Sequence, residues 1–317
     1  MLPFRLSPVY KNYIWGGKNL ITSWGKTPDS ETLAESWELA SHPDGDNIIL
    51  DGELSGLTLS EAVRKFPGIV SPKFKPDETF PLMVKLIDAA RPLSIQVHPF
   101  TEYARRVENS NGKIEAWYIL GHEEGAYIYL GFSRHVTRRE FEEAIRSERL
   151  TDVLRKVYVK NGDTFFIPAG TIHAIGAGIT LAEIQENSNI TYRVYDYGRL
   201  GADRKPRELH ISKALDVTNT FPLNITPPGK SGNVIVSCNK FHAERIRAPF
   251  TGNTEGRGFR FMMCLEGECE FRCGGFECEL KKGGNVFVPS DCGSDYVVEG
   301  NGEILVNSEG LRLCPDR

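Results

Sequence analysis

The amino-acid sequence predicts a mainly β protein built from two related β-barrels or sandwiches, with few helices. Two observations support this prediction. The 317-residue chain contains many short segments rich in β-branched and aromatic side chains, separated by its 31 glycines and 18 prolines. The segment Gly162-Asp-Thr-Phe-Phe-Ile-Pro168 also matches Gly283-Gly-Asn-Val-Phe-Val-Pro289 in length and pattern. Such a repeat indicates that the two halves of the chain share one fold.

Strands are predicted where β-branched and aromatic residues cluster between turn residues. In the first half these segments are 115–120, 126–130, 163–167, 179–184 and 193–195. In the second half they are 234–238, 260–264, 269–273, 285–288 and 303–306. Short strands at this spacing are typical of sandwich or barrel proteins.

Helices are predicted at fewer places. Thr137 and Glu140 have the spacing of a capping box, and Phe141, Ala144 and Ile145 then follow at helical spacing. A second helix at 151–157 would complete a helical segment of about 137–157. Further helices are predicted at 60–66 and 208–216.

A domain boundary is predicted near residue 220. The segment 219–233 is rich in proline and glycine, as expected of a linker. Residues 1–220 then form one domain, which includes the helical segment, and residues 221–317 form a second barrel. In the second copy of the repeat Ser294 stands where the first copy has His173, so the second barrel is expected to lack metal ligands.

Four side chains in the first half are of types that bind metal ions. Gln96 and His98 are two residues apart, so on a strand they point to one face. Glu115 begins an apolar run, and His173 follows a Pro-x-Gly turn. Two neutral imidazoles, a carboxylate and an amide oxygen suit a zinc-like ion with room for a substrate oxygen. The alternatives are a hydrogen-bonded pair of core histidines and, for Glu115, an ion pair with Lys113 or an arginine.

Several charged residues interrupt strands that are otherwise apolar or aromatic. Arg193 would point inward to meet a phosphate, a developing oxyanion or a structural carboxylate. Glu183 and Glu186, which precede Arg193, could provide that carboxylate or a general base. Lys85, Ser94 and Lys113 could join Arg193 in a basic pocket.

The composition excludes several classes of partner. A net charge of −4 gives no reason to expect nucleic acid or a membrane surface as the main partner. The N-terminus lacks the apolar run of a signal peptide, and a cytoplasmic protein is expected. The seven cysteines contain no Cys-x-x-Cys and are expected to be ordinary thiols.

A set of longer motifs connects these residues to a known family. The motifs are Tyr13-Ile-Trp-Gly-Gly17, Glu35-Ser-Trp-Glu-Leu39, Pro81-Leu-Met-Val-Lys85, Pro92-Leu-Ser-Ile-Gln-Val-His-Pro99, Lys113-Ile-Glu115-Ala-Trp-Tyr, Ile167-Pro-Ala-Gly-Thr-Ile-His173-Ala and Tyr192-Arg193-Val-Tyr-Asp-Tyr-Gly-Arg199. In this order they resemble the type I mannose-6-phosphate isomerases, specifically the short bacterial form. The resemblance spans most of the first 200 residues, and the final third matches only as a generic cupin-like barrel.

The resemblance implies two cupin-like, jelly-roll β-barrels with a small helical segment and one zinc ion per chain. The family's zinc ligands fall on His98, Glu115 and His173, with Gln96 as a candidate fourth ligand. Its catalytic arginine falls on Arg193.

The resemblance also implies an activity. Lys85, Ser94 and Lys113 fall where the family lines its pocket for a sugar phosphate. Mannose 6-phosphate and fructose 6-phosphate would interconvert through a cis-enediol, with Glu183 as a candidate for moving the proton. The alternative is a non-catalytic, metal-retaining cupin that binds sugar phosphates. The protein is expected to be a monomer or a homodimer.

Overall fold

The computed structural model describes residues 1–201, 204–224, 232–254 and 258–310. These residues are mainly β, as predicted. The strands of the first part are β1 (Leu6–Ser7), β2 (Val9–Lys11), β3 (Glu35–Leu39), β4 (Ser41–His42), β5 (Gly45–Asp46), β6 (Ile48–Ile49), β7 (Leu82–Ala89), β8 (Ile95–Val97), β9 (Glu115–His122), β10 (Tyr127–Phe132), β11 (Leu154–Tyr158), β12 (Thr164–Ile167), β13 (His173–Ile175), β14 (Ile179–Glu186) and β15 (Tyr192–Tyr195). Those of the second part are β16 (Val234–Ser237), β17 (Phe241–Arg247), β18 (Phe250–Gly252), β19 (Arg260–Glu266), β20 (Glu268–Cys273), β21 (Phe276–Lys281), β22 (Asn285–Val288), β23 (Tyr296–Gly300) and β24 (Glu303–Glu309).

The helices are short and lie in the first part of the chain. They are α1 (Asn19–Thr22), α2 (Leu59–Lys65), α3 (Thr101–Glu108), α4 (Arg138–Arg146) and α5 (Ile211–Val217). Helix α4 begins at the predicted capping box, in which Thr137 accepts from the Glu140 amide and the Glu140 carboxylate accepts from the Thr137 amide. None of the helices among the described residues is long and apolar enough to cross a membrane.

Two sheets form the first sandwich. A six-stranded sheet has the order β12-β9-β14-β7-β3-β2, and a five-stranded sheet has the order β11-β10-β13-β8-β15. Apolar side chains from both sheets, among them Ile87, Trp117 and Ile128, form one buried cluster between them. Helices α3, α4 and α5 cover the outer face of the five-stranded sheet through Tyr103, Phe141 and Val217.

The second sandwich repeats the topology of the first. Its sheets have the orders β16-β17-β24-β19-β22 and β18-β23-β20-β21. Strands β19 to β24 therefore occupy the same places as β9 to β14, which supports the repeat seen in the sequence. In the part of the chain that the structure describes, neither pair of sheets closes into a continuous barrel, so the predicted barrels are open sandwiches.

The two sandwiches pack against each other through the outer faces of their larger sheets. Leu86 and Ala182 of the first sandwich share one buried cluster with Phe261, Phe287 and Leu305 of the second. The prediction of separate domains, 1–220 and 221–317, remains a prediction, and residues 225–231 of the expected linker lie outside the described residues.

The predicted helix at 151–157 is wrong. Residues Leu150–Asp152 form one 3₁₀ turn, and strand β11 follows at Leu154–Tyr158. The helical segment therefore ends with Arg146 rather than near 157. The physical reason is pairing: Val157 lies opposite Ile128 on β10, and the tertiary ladder overrides the local helix signal.

Candidate active site

The alternation of side chains along strands brings charged residues to the inside of the first sandwich. On β7, Val84 and Leu86 face the second sandwich, so Lys85 faces inward. On β14, Ala182 and Ile184 face the second sandwich. Glu183 therefore points to the same interior as Lys85, and the register sets these two residues opposite each other.

The facing sheet contributes a second row of polar residues. Ile95 and Val97 of β8 pack under the helices, so Gln96 faces the interior. The register sets Gln96 opposite His173 on one side and opposite Arg193 on the other. Three residues that are far apart in sequence thus form one row across the sheet.

A turn before β13 fixes where His173 lies. Gly170 has φ +81°, and a Cβ at this position would lie 2.8 Å from the Val217 carbonyl oxygen. The Gly170 amide donates to the His98 carbonyl at 2.8 Å, which holds the two histidine segments together. Glycine is therefore required here both by the backbone conformation and by the close approach.

His98, Glu115 and His173 form a buried cluster. Their candidate ligand atoms all lie within 4.8 Å of one another. Glu115 Oε2 is 3.3 Å from His98 Nε2, and Glu115 Oε1 is 3.4 Å from His173 Nε2. The structure thus brings together three of the four residues that the sequence suggests as ligands, on three different strands or strand ends.

Both imidazoles are oriented by backbone carbonyls. His98 Nδ1 lies 2.8 Å from the Ile190 carbonyl oxygen, and His173 Nδ1 lies 2.8 Å from the Thr171 carbonyl oxygen. A carbonyl only accepts, so Nδ1 carries the proton and the Nε2 lone pair faces Glu115. Burial and the nearby Lys113 lower the pKa of His98 to about 3, and burial also lowers the pKa of His173. Both rings are therefore neutral near pH 7, the form that binds metal.

The carboxylate of Glu115 lacks the hydrogen bonds that a buried charge requires. Both oxygens are buried, and among the described residues neither has a hydrogen bond of good geometry. The Lys113 Nζ atom is only 2.7 Å from Oε2, which gives an ion pair without a well-aligned hydrogen bond. Burial opposes the charge of Glu115, but the charge of Lys113 holds the pKa of this carboxyl well below its usual range. An ionised, underbonded carboxylate beside two neutral imidazoles fits a divalent cation.

Gln96 lies beside this cluster. Its Nε2 atom is 3.4 Å from His173 Nε2, and the Ser94 hydroxyl donates to its Oε1 at 3.3 Å. Rotation of the amide by a half turn exchanges its oxygen and nitrogen with no change of shape. Gln96 can therefore present an oxygen to the space between the histidines.

Glu183 lies between Lys85 and Lys113, and these three residues form part of what we call the floor of the site. Lys85 Nζ and Lys113 Nζ are each 3.5 Å from Glu183 Oε1, and the Trp117 indole donates to Oε2 at 3.0 Å. Burial and the charge of Glu115 raise the pKa of Glu183 against the opposing effect of the two lysines. A buried carboxyl with a raised pKa, held by hydrogen bonds from Trp117 and Lys113, has the properties of a proton-transfer group.

Glu35 is a site residue to which the sequence analysis assigned no role. Its Oε2 atom is 3.5 Å from Lys85 Nζ and accepts from the Trp37 indole at 2.6 Å. The floor then contains the carboxyls of Glu35, Glu115 and Glu183 and two ammonium groups. If all five are ionised, one net negative charge remains, which again favours a bound cation.

Arginines form the rim of the site. Arg193 lines the cavity, and its Nη1 donates to the Glu208 carbonyl at 2.9 Å. Its Nε is buried and has no partner among the described residues. Arg207 lines the same cavity and is held by Asp196, whose Oδ2 accepts from Arg207 Nε at 2.8 Å. The sequence did not single out Arg207, which is the third arginine after the aromatic strand and stands in no motif.

The rim is positively charged. Arg199 donates through Nη2 to Asp196 Oδ1 at 2.6 Å, so this one carboxylate pairs with the guanidinium groups of both Arg199 and Arg207. Burial and the charge of Arg207 lower the pKa of Arg193. The cavity between rim and floor has a volume of about 270 Å³ and also exposes Tyr13, Trp15 and Asn189. Such a space admits a small polar molecule that carries one anionic group.

Proteins of similar sequence match nearly the full length of the chain. The probable mannose-6-phosphate isomerase GmuF of Bacillus subtilis is 33% identical over 96% of this chain and 98% of its own. The mannose-6-phosphate isomerase ManA of the same organism is 34% identical over the same shares. The mannose-6-phosphate isomerase of Streptococcus mutans is 32% identical over 96% of this chain and 97% of its own.

The chain belongs to the type I phosphomannose isomerase family. The model of the family's catalytic domain, "Phosphomannose isomerase type I, catalytic domain", matches residues 3–122. This range contains Lys85, His98 and Glu115. The resemblance drawn from the sequence motifs is thereby confirmed.

Solved structures of phosphomannose isomerases show the same fold. The crystal structure of the Bacillus subtilis mannose 6-phosphate isomerase has a TM-score of 0.88 at 31% identity and covers 97% of this chain and 99% of that one. A zinc-bound holo mannose 6-phosphate isomerase has a TM-score of 0.76 at 18% identity, which supports the fold alone. The predicted fold class, two cupin-like units with a small helical segment, is confirmed.

Proposed function

We propose that this phosphomannose isomerase family member interconverts mannose 6-phosphate and fructose 6-phosphate with one zinc ion per chain. His98, Glu115 and His173 are the proposed ligands, with Gln96 as the fourth candidate. The observation that carries the proposal is the underbonded Glu115 carboxylate facing two neutral imidazoles at 3.3 and 3.4 Å. Two imidazoles and a carboxylate are ligands that zinc prefers. A mannose 6-phosphate isomerase of similar fold binds zinc, which also supports this choice of metal.

A zinc ion at this place would polarise the sugar's carbonyl and hydroxyl oxygens at C1 and C2. The remaining chemistry falls to side chains of the chain. We assign proton transfer to Glu183, which takes the proton from C2 of the open-chain aldose and returns it to C1. The first transfer leaves a cis-enediolate, which becomes the cis-enediol when its C1 oxygen takes up a proton. Loss of the proton from the C2 hydroxyl and return of the carbon-bound proton to C1 then yield the ketose. The raised pKa of Glu183 and its fixed distance from Trp117 support this role.

Arg193 is the proposed partner of the negative charge that develops on the enediolate oxygens. It pairs with Gln96 in the strand register, and Gln96 pairs on its other side with His173. Its buried Nε, which has no hydrogen-bond partner in the part of the chain that the structure describes, retains a donor for this purpose. A donor that is already in position costs no reorganisation when charge forms, which is why such groups contribute strongly to rate.

The substrate is held at two places in this proposal. Lys85, Ser94 and Lys113 line the cavity and face the sugar hydroxyls. Arg207 at the rim faces the phosphate, because Asp196 fixes its guanidinium and the rim has more cations than anions. Arginine suits a phosphate dianion by its forked donors. We also propose that residues 1–220 contain the whole site and that residues 221–317 bind no metal.

One experiment tests the isomerase against the alternative, a non-catalytic cupin that binds sugar phosphates. Purified protein is incubated with mannose 6-phosphate in deuterated water, with and without chelator, and the sugar is followed by NMR. The isomerase is expected to form fructose 6-phosphate and to exchange hydrogen with solvent at C1. Both the product and the exchange should be lost when the chelator removes the metal. Saturable binding of the sugar phosphate without turnover in the zinc-loaded protein would contradict the proposal.

The remaining predictions, a cytoplasmic monomer or homodimer without nucleic-acid partners, are checked by fractionation and by the mass of the particle in solution.

A further inference from the structure

Two cysteines of the second sandwich lie in contact. Cys273 is the last residue of β20, and Cys292 lies in the turn between β22 and β23. Their Sγ atoms are 3.1 Å apart, and both are free thiols. A disulfide bond measures roughly 2.04 Å, so the two sulfurs need to approach by only about 1 Å to bond.

The two thiols differ in their surroundings. Cys273 belongs to the buried core between the two sheets of the second sandwich, whereas Cys292 is partly exposed. Burial and the hydrogen bond to Cys292 raise the pKa of Cys273 to about 12. An oxidant from solvent therefore meets Cys292 first, with Cys273 behind it as the resolving thiol.

We propose that Cys273 and Cys292 are a reversible oxidation site, at which a peroxide or a small disulfide joins them in an intramolecular disulfide bond. The inference is independent of the isomerase activity, because the pair lies in the sandwich that contributes no residue to the site described above.

The chemistry balances in two steps. The Cys292 thiolate attacks hydrogen peroxide, the O–O bond breaks, and a sulfenic acid forms with loss of hydroxide. The Cys273 sulfur then attacks the sulfenic sulfur, the S–O bond breaks, and the disulfide and one water are formed. The two thiols are oxidised by two electrons, and the peroxide is reduced to two molecules of water. With a small disulfide the same bond forms by thiol–disulfide exchange and releases two small thiols.

The turn that contains Cys292 joins the second sandwich to the start of the chain. The Ser290 amide donates to the Ile69 carbonyl at 2.8 Å, and the Met1 ammonium donates to the Asp291 carbonyl at 3.1 Å. A bond from Cys292 to the core strand β20 would fix this turn. It would also close a short loop of the chain, which limits the unfolded ensemble and stabilises the folded state.

The test uses the full chain, oxidised with a small excess of hydrogen peroxide and compared with protein kept in reductant. Intact mass and non-reducing peptide mapping are expected to show the loss of two hydrogens per chain and one Cys273–Cys292 cross-linked peptide, both reversed by reductant. The Tm of the oxidised protein is expected to rise by roughly 3–6 °C. Cys278→Ser is the matched control and should behave as the unmodified chain, because Cys278 is a partly exposed thiol outside the pair.

Cys292→Ser and Cys273→Ser separate the outcomes. Cys292→Ser should abolish the cross-link and the change in Tm, while Cys273→Ser should leave a sulfenic acid on Cys292 that a dimedone probe traps. Both variants are small changes at the end of a strand and in a turn, and thermal unfolding in reductant reports whether they fold. The proposal is overturned if oxidised protein contains no Cys273–Cys292 peptide, or if the cross-link joins other cysteines in preference.

Discussion

The Nζ atom of Lys113 lies 2.7 Å from Oε2 of Glu115, and both side chains are almost completely buried. Burial alone would lower the pKa of this lysine, but the charges of Glu115 and Glu183 raise it above its usual value. The lysine therefore remains charged and offsets the charge of the proposed ligand when no cation is bound. A zinc ion would compete with Lys113 for the same oxygen.

The first prediction concerns this pair. Lys113→Met keeps the length of the side chain and leaves Glu115 as an uncompensated buried charge, which costs about 3–5 kcal/mol of unfolding free energy in the metal-free protein. Zinc should restore much of this loss. The measurement is chemical unfolding with zinc and with chelator, with Lys281→Met in the exposed pair with Glu279 as control. An equal loss of unfolding free energy with zinc and with chelator would mean that Lys113 and the metal do not compete for the Glu115 carboxylate.

The second prediction concerns the ligands. His98→Ala and His173→Ala should each lose the zinc and the activity, because a site with so few protein ligands does not tolerate the loss of one. Metal content per chain is measured by atomic emission together with turnover. His122→Ala, at an exposed histidine, is the control and should change neither. Full metal content in both site variants would place the ion elsewhere.

The third prediction concerns proton transfer. Glu183→Gln keeps the shape of the side chain but removes the group that exchanges a proton. It should lower kcat by about 10²–10⁴-fold, a typical contribution of a general base, while zinc content stays near that of the unmodified protein. The same variant should lose the exchange of hydrogen with solvent. A variant that keeps exchange but turns over slowly would show that another group moves the proton.

The fourth prediction separates the two arginines. Arg193→Ala should lower kcat by roughly 10²-fold with a smaller effect on KM, because it acts on charge that exists only in the transition state. Arg207→Ala should mainly raise KM for mannose 6-phosphate and weaken inhibition by inorganic phosphate. Steady-state kinetics with both variants test this division. If Arg193→Ala changes only KM, then Arg193 binds the phosphate and the two roles are exchanged.

The fifth prediction concerns pH. Burial opposes the charge of Asp196, but hydrogen bonds from Arg207 and Arg199 lower its pKa below the usual value of 3.8. A lowered folded-state pKa gives stability that is present above the unfolded-state pKa and is lost as the pH falls through the folded-state pKa. Asp196→Asn should therefore cost about 1.5–3 kcal/mol near pH 7 and progressively less below about pH 4. The measurement is the unfolding free energy of the unmodified protein and of Asp196→Asn between pH 7 and pH 3. A difference between the two proteins that does not change with pH would contradict the prediction.

The sequence was informative where local patterns and spacing decide the structure. All ten predicted strand segments form strands, and α2 and α4 begin close to where their predicted helices do. The family was recognised from motifs that hold the site residues. The apolar strand around Lys85 was also expected and is β7, but helix α3, which covers the facing sheet, was missed. The segment 151–157 was mistaken for a helix, because an edge strand with mixed polarity shows no clear period of two.

The roles assigned to the site residues remain predictions, but the tertiary structure decides which of these residues meet. Sequence spacing put Gln96 and His98 on one strand face, yet only the register of β8 with β13 and β15 aligns Gln96 with His173 and Arg193. A shift of one residue would turn each of these side chains to the opposite face.

By itself, the sequence determined the strand-rich fold, the repeat and the family, because these depend on local propensity and on motifs read along the chain. Only the tertiary structure determined the underbonded state of Glu115, the place of Arg207 at the rim and the contact between Cys273 and Cys292. Each of these depends on distances between residues that are apart in sequence. Such distances follow from the packing of the sheets, which no local pattern in the chain encodes.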